Sequence, residues 1–515
     1  MQETLIASLL KPEAYSHPAS AIEVLETHIS WVVLTGPFAY KIKKAVKLDF
    51  LDFSTLQKRR HFCEEELRLN RRWAPELYLE VLPISGSVDD PVVDGEGRAI
   101  EYALKMVQFP QSSQLDKQLI AGLLRRRDLR ALAESTAAFH REAPRLEFTT
   151  NANALTTVRQ PMLDNFQPLR KVTGLKLVSR VEAWTSQNLL RLEAALIGRR
   201  KEGYVRECHG DLHLSNLVRM PAGIVAFDCV EFSAELRNID VVSDIAFLVM
   251  DLVSRARQDL AFDFLNRYLE CTGDYPGMDV LGLYVVYHCM IRAKVAAIRA
   301  GERSEEPQQE QDIEDVEHNL AVAARWIEAP PPRLIAMHGF SGSGKTWLSS
   351  QLMSQLPAIR IRSDIERKRF FGLDETAGSE SKPGAGIYTD KATAETYAGV
   401  LDASERLLGA GFNVIVDASF LRRSERQLLC DLAGRLGIPF AFAETRATRE
   451  ELMRRLRARV QSGEDASEAN IAVLQHQFEH ADPLTAAERE RTVVIETDAT
   501  IDTGRIIKGL RRTAR

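Results

Sequence analysis

Cysteine pairs, long apolar runs and surplus positive charge are all missing from this sequence. Its six cysteines, Cys63, Cys208, Cys229, Cys271, Cys289 and Cys430, form no Cys-x-x-Cys pair. Neither a disulfide framework nor a thiolate metal site is expected, and the thiols read as reduced. No stretch reaches the ~18 uncharged apolar residues that a membrane span needs. The opening "MQETLIASLLKPEAYSHP" has no basic segment and only a short apolar run, unlike a secretory signal. Together these absences predict a cytoplasmic protein. The net charge is −5, so no global basic field draws the chain to nucleic acid or to an anionic membrane. A local basic groove stays open as an alternative, and no internal repeat is visible.

What remains is an ordinary globular composition, 45% hydrophobic and 27% charged. At roughly 100–200 residues per domain, 515 residues predict two to four domains, each long enough to bury a core. Residues 22–110 read as strands with one helix. "SWVVLTGPFAYKIKKAV" alternates around a Thr-Gly-Pro turn, as a hairpin does, and "LQKRRHFCEEELRLNRRWA" is a charged amphipathic helix. Residues 115–328 are mostly helical, interrupted by "CHGDLHLSNLV…GIVAFDCVEF", a loop and a tight pair of strands. "ERSEEPQQEQDIEDVEHNLAVAARWIE" reads as a loop and a last helix. "APPPR" is a stiff spacer. Beyond it, strands such as "RLIAMHG", "AIRIRSD", "NVIVDAS", "PFAFAETRA" and "RTVVIETD" alternate with helices, the pattern of a doubly wound parallel sheet. The expected fold class is therefore α+β then α/β: a first domain over 1–328, a Pro-rich linker at 329–332 and a second domain over 333–515.

In the second domain, "GFSGSGKT" places Gly339, Gly344, Lys345 and Thr346 between a predicted strand and a predicted helix. That is the context a P-loop requires. Backbone N–H groups of Gly339, Ser341, Gly342, Ser343 and Gly344 can curl round phosphate oxygens, and the helix N-terminus adds positive charge. Lys345 reaches the β and γ phosphates of ATP, and the Thr346 hydroxyl can ligate Mg²⁺. "IRIRSD" is expected to end its strand at Asp364, with Arg367 following. Asp417 ends "NVIVD" and suits a Mg²⁺ or water ligand at the carboxyl edge of the sheet. Arg454, Arg455 and Arg459 form either a solvated basic face or a lid over the nucleotide.

"GFSGSGKT…RIRSDIERK…VIVDAS" resembles the small P-loop kinases of the gluconate kinase, zeta-toxin and polynucleotide kinase type, across most of 333–515. The resemblance implies that Asp364 binds or activates an acceptor hydroxyl, with Arg367 beside it. Nothing in it fixes the acceptor.

In the first domain, "CHGDLHLSNLV" holds Asp211 and Asn216 five residues apart, the spacing of a phosphotransferase base and a metal ligand. Asp228 follows twelve residues later at the end of a short strand, where a second metal-binding carboxylate fits. Lys41 on the hairpin and Glu66 on the following helix can make the pair that orients the α and β phosphates. Lys43 rivals Lys41, and Glu64 and Glu65 rival Glu66. His209 and His213 read as imidazoles that brace the loop by donating to backbone carbonyls.

His209-Gly-Asp-x-His-x-x-Asn216 followed by Asp228 resembles the aminoglycoside phosphotransferase and choline kinase superfamily, over about 30–300. The resemblance implies a bilobal, protein-kinase-like fold with Asp211 as base, Asn216 and Asp228 as Mg²⁺ ligands, and "EYALKM" as the hinge against adenine. The sequence departs from it in lacking a Gly-x-Gly-x-x-Gly loop, with only Thr35-Gly36-Pro37 there, and in placing Cys229 after the metal Asp. Asp240 and Asp244, on a helix expected at 240–252, are read as braces for the loop. The domain order resembles bacterial fusions of an aminoglycoside phosphotransferase-like domain with a P-loop kinase.

Three functions follow as expectations. The first is an ATP- and Mg²⁺-dependent phosphotransferase with two sites acting on small hydroxylated metabolites, of sugar or nucleotide-sugar type. In the second, the P-loop half is an ATP-binding regulatory module. In the third it is a polynucleotide 5′-kinase, for which "RKRFF" at 367–371 and the Arg-rich helix would supply basic contacts.

Overall fold

The structure is a computed structural model and describes residues 2–48, 51–146, 156–302, 306–353, 355–375, 377–379, 385–462 and 466–513. The chain divides into two compact units, Met1–Leu155 with Leu196–Asp251, and Thr156–Ala195 with Leu252–Arg515.

The first unit is built on an antiparallel sheet of six strands: β1 (Glu23–Glu26), β2 (Ser30–Leu34), β3 (Phe38–Lys43), β4 (Tyr78–Gly86), β5 (Pro91–Val93) and β6 (Glu101–Val107), in the spatial order β1-β2-β3-β6-β4-β5. Strand alternation explains its two faces. Tyr40 and Ile42 of β3 join Leu5, Ile6, Leu9, Leu82, Ile84 and Ala103 in one apolar cluster. Lys41 and Lys43 therefore point to the other face, where helix α1 (Leu56–Asn70) packs on β4 and β6. Thr55 caps α1, its hydroxyl accepting the Lys58 N–H. "EYALKM" lies within β6, in the middle of the sheet, and the connector begins only after Val107.

Past "CHGDLHLSN" comes a hairpin of β7 (Leu217–Met220) and β8 (Gly223–Ala226), with Leu217 opposite Ala226. Helix α2 (Val241–Ser254) then runs as a mostly apolar stretch broken by Asp244 and Asp251, and its residues are nearly all buried.

The second unit holds a five-stranded parallel sheet of β9 (Leu334–His338), β10 (Ala358–Arg362), β11 (Asn413–Asp417), β12 (Phe440–Arg446) and β13 (Thr492–Glu496), in the order β10-β11-β9-β12-β13. Helices α4 (Lys345–Met353) and α10 (Thr503–Thr513) bury Leu348, Leu352, Ile506 and Leu510 against Ile335, Met337, Ile415 and Ile495 of the sheet. Helices α6 (Asp390–Gly409) and α7 (Arg423–Leu436) pack on each other, and α6 packs on β11. With right-handed crossovers, this strand order sends the chain from β9 and from β11 to opposite faces, and ligands bind in such a crevice.

The edge strand β10 is covered by helix α3 (Gln258–Thr272). Buried Glu270 of that helix accepts from Arg360 Nη2 at 2.7 Å. Residues 329–332, expected as an interdomain linker, thus lie inside the second unit, because the helices before them pack with the sheet after them.

The helical segment Tyr275–Glu302 is long and apolar enough to cross a membrane by length and composition, although charged residues such as Asp279, Arg292 and Lys294 interrupt it. Of its most apolar window 61% is buried, and it packs on the helix Glu306–Ile327. Within the loop expected before that last helix, 303–305 lie outside the described residues.

Candidate functional sites

In the first unit, β3 brings Lys41 and Lys43 to a single carboxylate. Lys41 Nζ donates to Glu66 Oε1 and Lys43 Nζ to Glu66 Oε2, each at 2.7 Å. Lys41 also pairs with Asp228, and Lys43 with Glu231. Glu66 is wholly buried. Burial alone would raise its carboxyl, but the two ammonium groups outweigh it and hold the pKa down at about 2. Burial likewise opposes the charge on Lys41, and Asp228 and Glu66 overcome it, so its pKa lies well above the ordinary value. The rivals Glu64 and Glu65 turn outward to Arg60 and Arg68.

Asp228 follows β8 in left-handed backbone, with φ +63°. For a residue other than glycine that conformation costs roughly 1–3 kcal/mol, and it persists where neighbours fix it. They do so here. The Asp228 N–H donates to the Tyr78 hydroxyl at 3.0 Å, the Cys229 N–H to Asn70 Oδ1 at 3.0 Å, and His209 Nε2 to the Phe227 carbonyl at 3.0 Å. Burial lowers the His209 pKa, in keeping with a neutral donor.

Asp211 and Asn216 also meet. Asn216 Nδ2 donates to the Asp211 carboxylate at 2.8 Å and to its carbonyl at 3.1 Å. His213 departs from the expected bracing role: its Nε2 lies 3.3 Å from the Asp211 carboxylate instead of on a carbonyl. The loop is held from α2. Asp244 accepts the N–H groups of His209 and Gly210 at 3.1 and 2.9 Å and faces His140 at 3.0 Å. Asp251 accepts the Leu214 N–H at 3.0 Å. Gly210 has φ +83°, and a Cβ there would stand 2.8 Å from the Leu236 carbonyl oxygen. Asp240 serves elsewhere, in a two-pronged pair with Arg199.

In the second unit, the glycine loop bends between β9 and α4. Gly342 has φ +83°, and a Cβ would lie 2.9 Å from the Leu452 carbonyl oxygen, so the loop is tied to glycine there. Ser343 and Thr445 share a hydroxyl–hydroxyl bond of 2.6 Å that seats the loop on β12. Lys345 Nζ donates to the carbonyls of Gly339 and Phe340, each at 2.9 Å. Its burial brings the pKa down to about 8, against the opposing pull of Asp417 and Asp364.

Lys345, Thr346, Asp364, Arg367 and Asp417 line one cavity of about 570 Å³. Asp364 belongs to the first turn of helix α5 (Ser363–Phe370), not to the end of β10, which stops at Arg362. Asp417 does end β11, and its Oδ2 accepts from Ser349 Oγ at 3.2 Å. Arg367 is buried in the cavity wall, its Nη1 donating to the Ile387 carbonyl at 2.8 Å and its guanidinium over the Tyr388 ring. The rest of the basic run is tied down as well: Lys368 donates to the Glu375 carbonyl, and Arg369 pairs with Glu366.

The three arginines of helix α8 (Arg449–Ser462) separate. Arg455 donates to the Gly342 carbonyl at 3.3 Å and to Thr497, so it touches the P-loop. Arg459 lines the cavity. Arg454, expected to bind nucleotide, is instead exposed and paired with Glu451 one helical turn away.

The oxygen donors present suit a hard cation. Asn216 spends its Nδ2 on Asp211 and has its Oδ1 for a metal, and the Asp228 side chain is 45% exposed. In the second unit, Thr346 and Asp417 share the cavity with Lys345. Hydroxyl, amide and carboxylate oxygens are the ligands Mg²⁺ takes.

Residues 334–484 match a family model described as an AAA domain. The second unit therefore carries a P-loop domain on a parallel sheet. An uncharacterized protein of Mycobacterium tuberculosis is 30% identical over 495 residues, covering 93% of this chain and 96% of its own length. An uncharacterized protein of Mycobacterium bovis matches with the same figures. The chain belongs to the family of these mycobacterial proteins. Among solved structures, similarity extends to an ethanolamine kinase of Plasmodium vivax (8% identity, 58% of this chain and 81% of that one, TM-score 0.36). It also extends to a gluconokinase of Sinorhizobium meliloti (22% identity, 36% and 95%, TM-score 0.26).

Sequence reasoning missed three residues that the structure brings forward. Glu231, which holds Lys43, had a signal in its place three residues after Asp228. Asp251 had only its oddity as an acid in an apolar helix. Gln477, which reaches the P-loop from a distant helix, had none.

Proposed function

We propose that the chain is an ATP- and Mg²⁺-dependent phosphotransferase with two nucleotide sites, each passing the γ-phosphate to a hydroxyl of a small metabolite of sugar or nucleotide-sugar type. The observation that carries this reading is the convergence of Lys345, Thr346, Asp364, Arg367 and Asp417 on one cavity. The Lys41–Glu66–Asp228 and Asp211–Asn216 clusters support a second site of the same chemistry in the first unit.

In the second unit, Lys345 and the loop amides bind the phosphates. Asp364 accepts the proton of the acceptor hydroxyl as its oxygen attacks the γ-phosphorus. The β–γ bridging bond breaks, and ADP and the phosphorylated acceptor leave. In the first unit, Lys41, fixed by Glu66, orients the phosphates and Asp211 takes the corresponding proton. Mg²⁺ held by Thr346 and Asp417, or by Asn216 and Asp228, would neutralise charge on the phosphate oxygens.

The test is acceptor-dependent ADP release by the full chain across a panel of sugars, sugar phosphates and nucleotide sugars. No release with any acceptor would sink the two-site enzyme. Tight Lys345-dependent ATP binding without release would favour the regulatory reading. Salt-sensitive release driven by single strands would favour the polynucleotide kinase.

A further inference from the structure

Helix α9 (Ile471–His480) closes one side of the P-loop cavity, yet none of the motifs includes it. Asn470 caps it, Oδ1 accepting the Val473 N–H at 3.1 Å. Leu474 and Phe478 anchor it in an apolar cluster with Leu452, Leu456 and Phe340, and the Phe340 and Phe478 rings lie 4.6 Å apart. The anchor fixes the neighbouring Gln477 toward the loop. Gln477 Oε1 accepts the N–H of Ser341 at 2.9 Å. The donor settles which end of the carboxamide faces the loop, because an N–H requires an acceptor.

Ser341 N–H belongs to a loop whose amides serve phosphate oxygens. It can serve a phosphate oxygen or Gln477, but not both at full strength. Ser341 and Gln477 line the same cavity as Asp364 and Arg367. With Asp364 and Arg367 on the acceptor side, as proposed above, the phosphate that shares their cavity with Ser341 and Gln477 and faces the acceptor is the terminal one. The last torsion of a glutamine side chain is soft and roughly two-fold. Half a turn replaces the oxygen by the NH₂ group and makes the acceptor a donor. Glutamate cannot make this exchange, since its carboxylate only accepts, and lysine cannot accept from Ser341 at all.

We propose that Gln477 contacts the γ-phosphate: it accepts from Ser341 until a phosphate oxygen takes that N–H, then turns and donates its Nε2–H to the terminal phosphate. The inference rests on the reading of the P-loop as an ATP site, and it makes α9 the element that distinguishes ATP from ADP.

The test is calorimetric titration of the full chain with ADP and with the β,γ-imido analogue of ATP. Only the component of binding that Lys345→Ala abolishes is compared. Gln477→Glu keeps an acceptor for Ser341, so a side chain that merely latches the helix keeps that latch and only the added charge acts on the nucleotide, while Gln477→Ala leaves a latch's nucleotide affinities in their wild-type ratio. A side chain that donates to the terminal phosphate loses much. The expected result is ADP affinity within about twofold of wild type for both variants. The imido analogue weakens about tenfold in Gln477→Ala and more in Gln477→Glu, since a charge-assisted hydrogen bond is removed and a like charge added. Equal changes for both nucleotides, or wild-type behaviour of Gln477→Glu, would overturn the proposal. Absence of any Lys345-dependent binding in the wild type would overturn the ATP reading itself, and Gln477's role with it.

Discussion

Asn266 of α3 pairs with the edge of the parallel sheet as a sixth strand would: its Oδ1 accepts the Arg360 N–H at 2.6 Å, and its Nδ2 donates to the Ala358 carbonyl at 2.9 Å. Both groups are buried, so the side chain does the work of a neighbouring backbone. Asn266→Ala leaves them unpaired, and a loss of about 1–3 kcal/mol in the unfolding free energy of the second unit is expected from urea titration. A fragment starting at residue 333 bares the β10 edge and is expected to associate more strongly than the full chain at the same concentration. Equal behaviour by size-exclusion chromatography would refute the edge-capping role.

Glu66 stands between two buried lysines, so removing its charge leaves them without their shared partner. Glu66→Gln is expected to cost about 3 kcal/mol or more near neutral pH. The sign of the pH dependence follows from its carboxyl. Folding holds the pKa at about 2 against an ordinary 4.5. The stabilisation is therefore complete above pH ~4.5 and is lost as pH falls toward 2. Denaturant unfolding at pH 7 and pH 3 should show the gap between wild type and Glu66→Gln narrowing at the lower pH. A gap of constant size would contradict the pairing.

Gly210→Ala tests the brace on the first site. A Cβ at φ +83°, 2.8 Å from a backbone oxygen, forces the loop off Asp244. Phosphotransfer by the first unit should fall at least about tenfold, while nucleotide binding that depends on Lys345 is unchanged. Asp244→Asn should reproduce the loss more mildly, since one of its oxygens still accepts.

Arg454 and Arg455 are sequence neighbours with different fates. Arg455→Ala removes the contacts to Gly342 and Thr497 and should weaken Lys345-dependent nucleotide binding about tenfold. Arg454→Ala removes only an exposed pair with Glu451 and should leave binding within about twofold. The reverse ranking would return Arg454 to the site.

Much of the fold was legible because period and punctuation carried it. The five parallel strands, the β2–β3 hairpin and the β7–β8 hairpin all sit where alternation and glycine turns placed them. The P-loop was legible because its chemistry is local, eight residues that leave a strand and open a helix. Lys41 and Glu66 were harder, since strand alternation puts Lys43 on the same face and the helix offers three successive acids. Of the three acids, the structure brings Glu66 to both lysines. What stayed hidden depends on residues far apart in sequence. Asn266 meets Arg360 across 94 positions and Ser341 meets Gln477 across 136, and nothing in either neighbourhood announces the other. The proline-rich stretch at 329–332 looked like a boundary because stiffness is local, whereas membership of a compact unit is set by what the preceding helices pack against.

Phosphate transfer by two sites in one chain is the core of the proposed function. It is tested most directly by label transfer from γ-labelled ATP into a metabolite extract, with wild type, Asp211→Ala and Lys345→Ala compared. With two active sites, each variant loses a different labelled product and keeps the other. If Lys345→Ala loses no product while Asp211→Ala loses all of them, the P-loop unit transfers nothing and the claim fails.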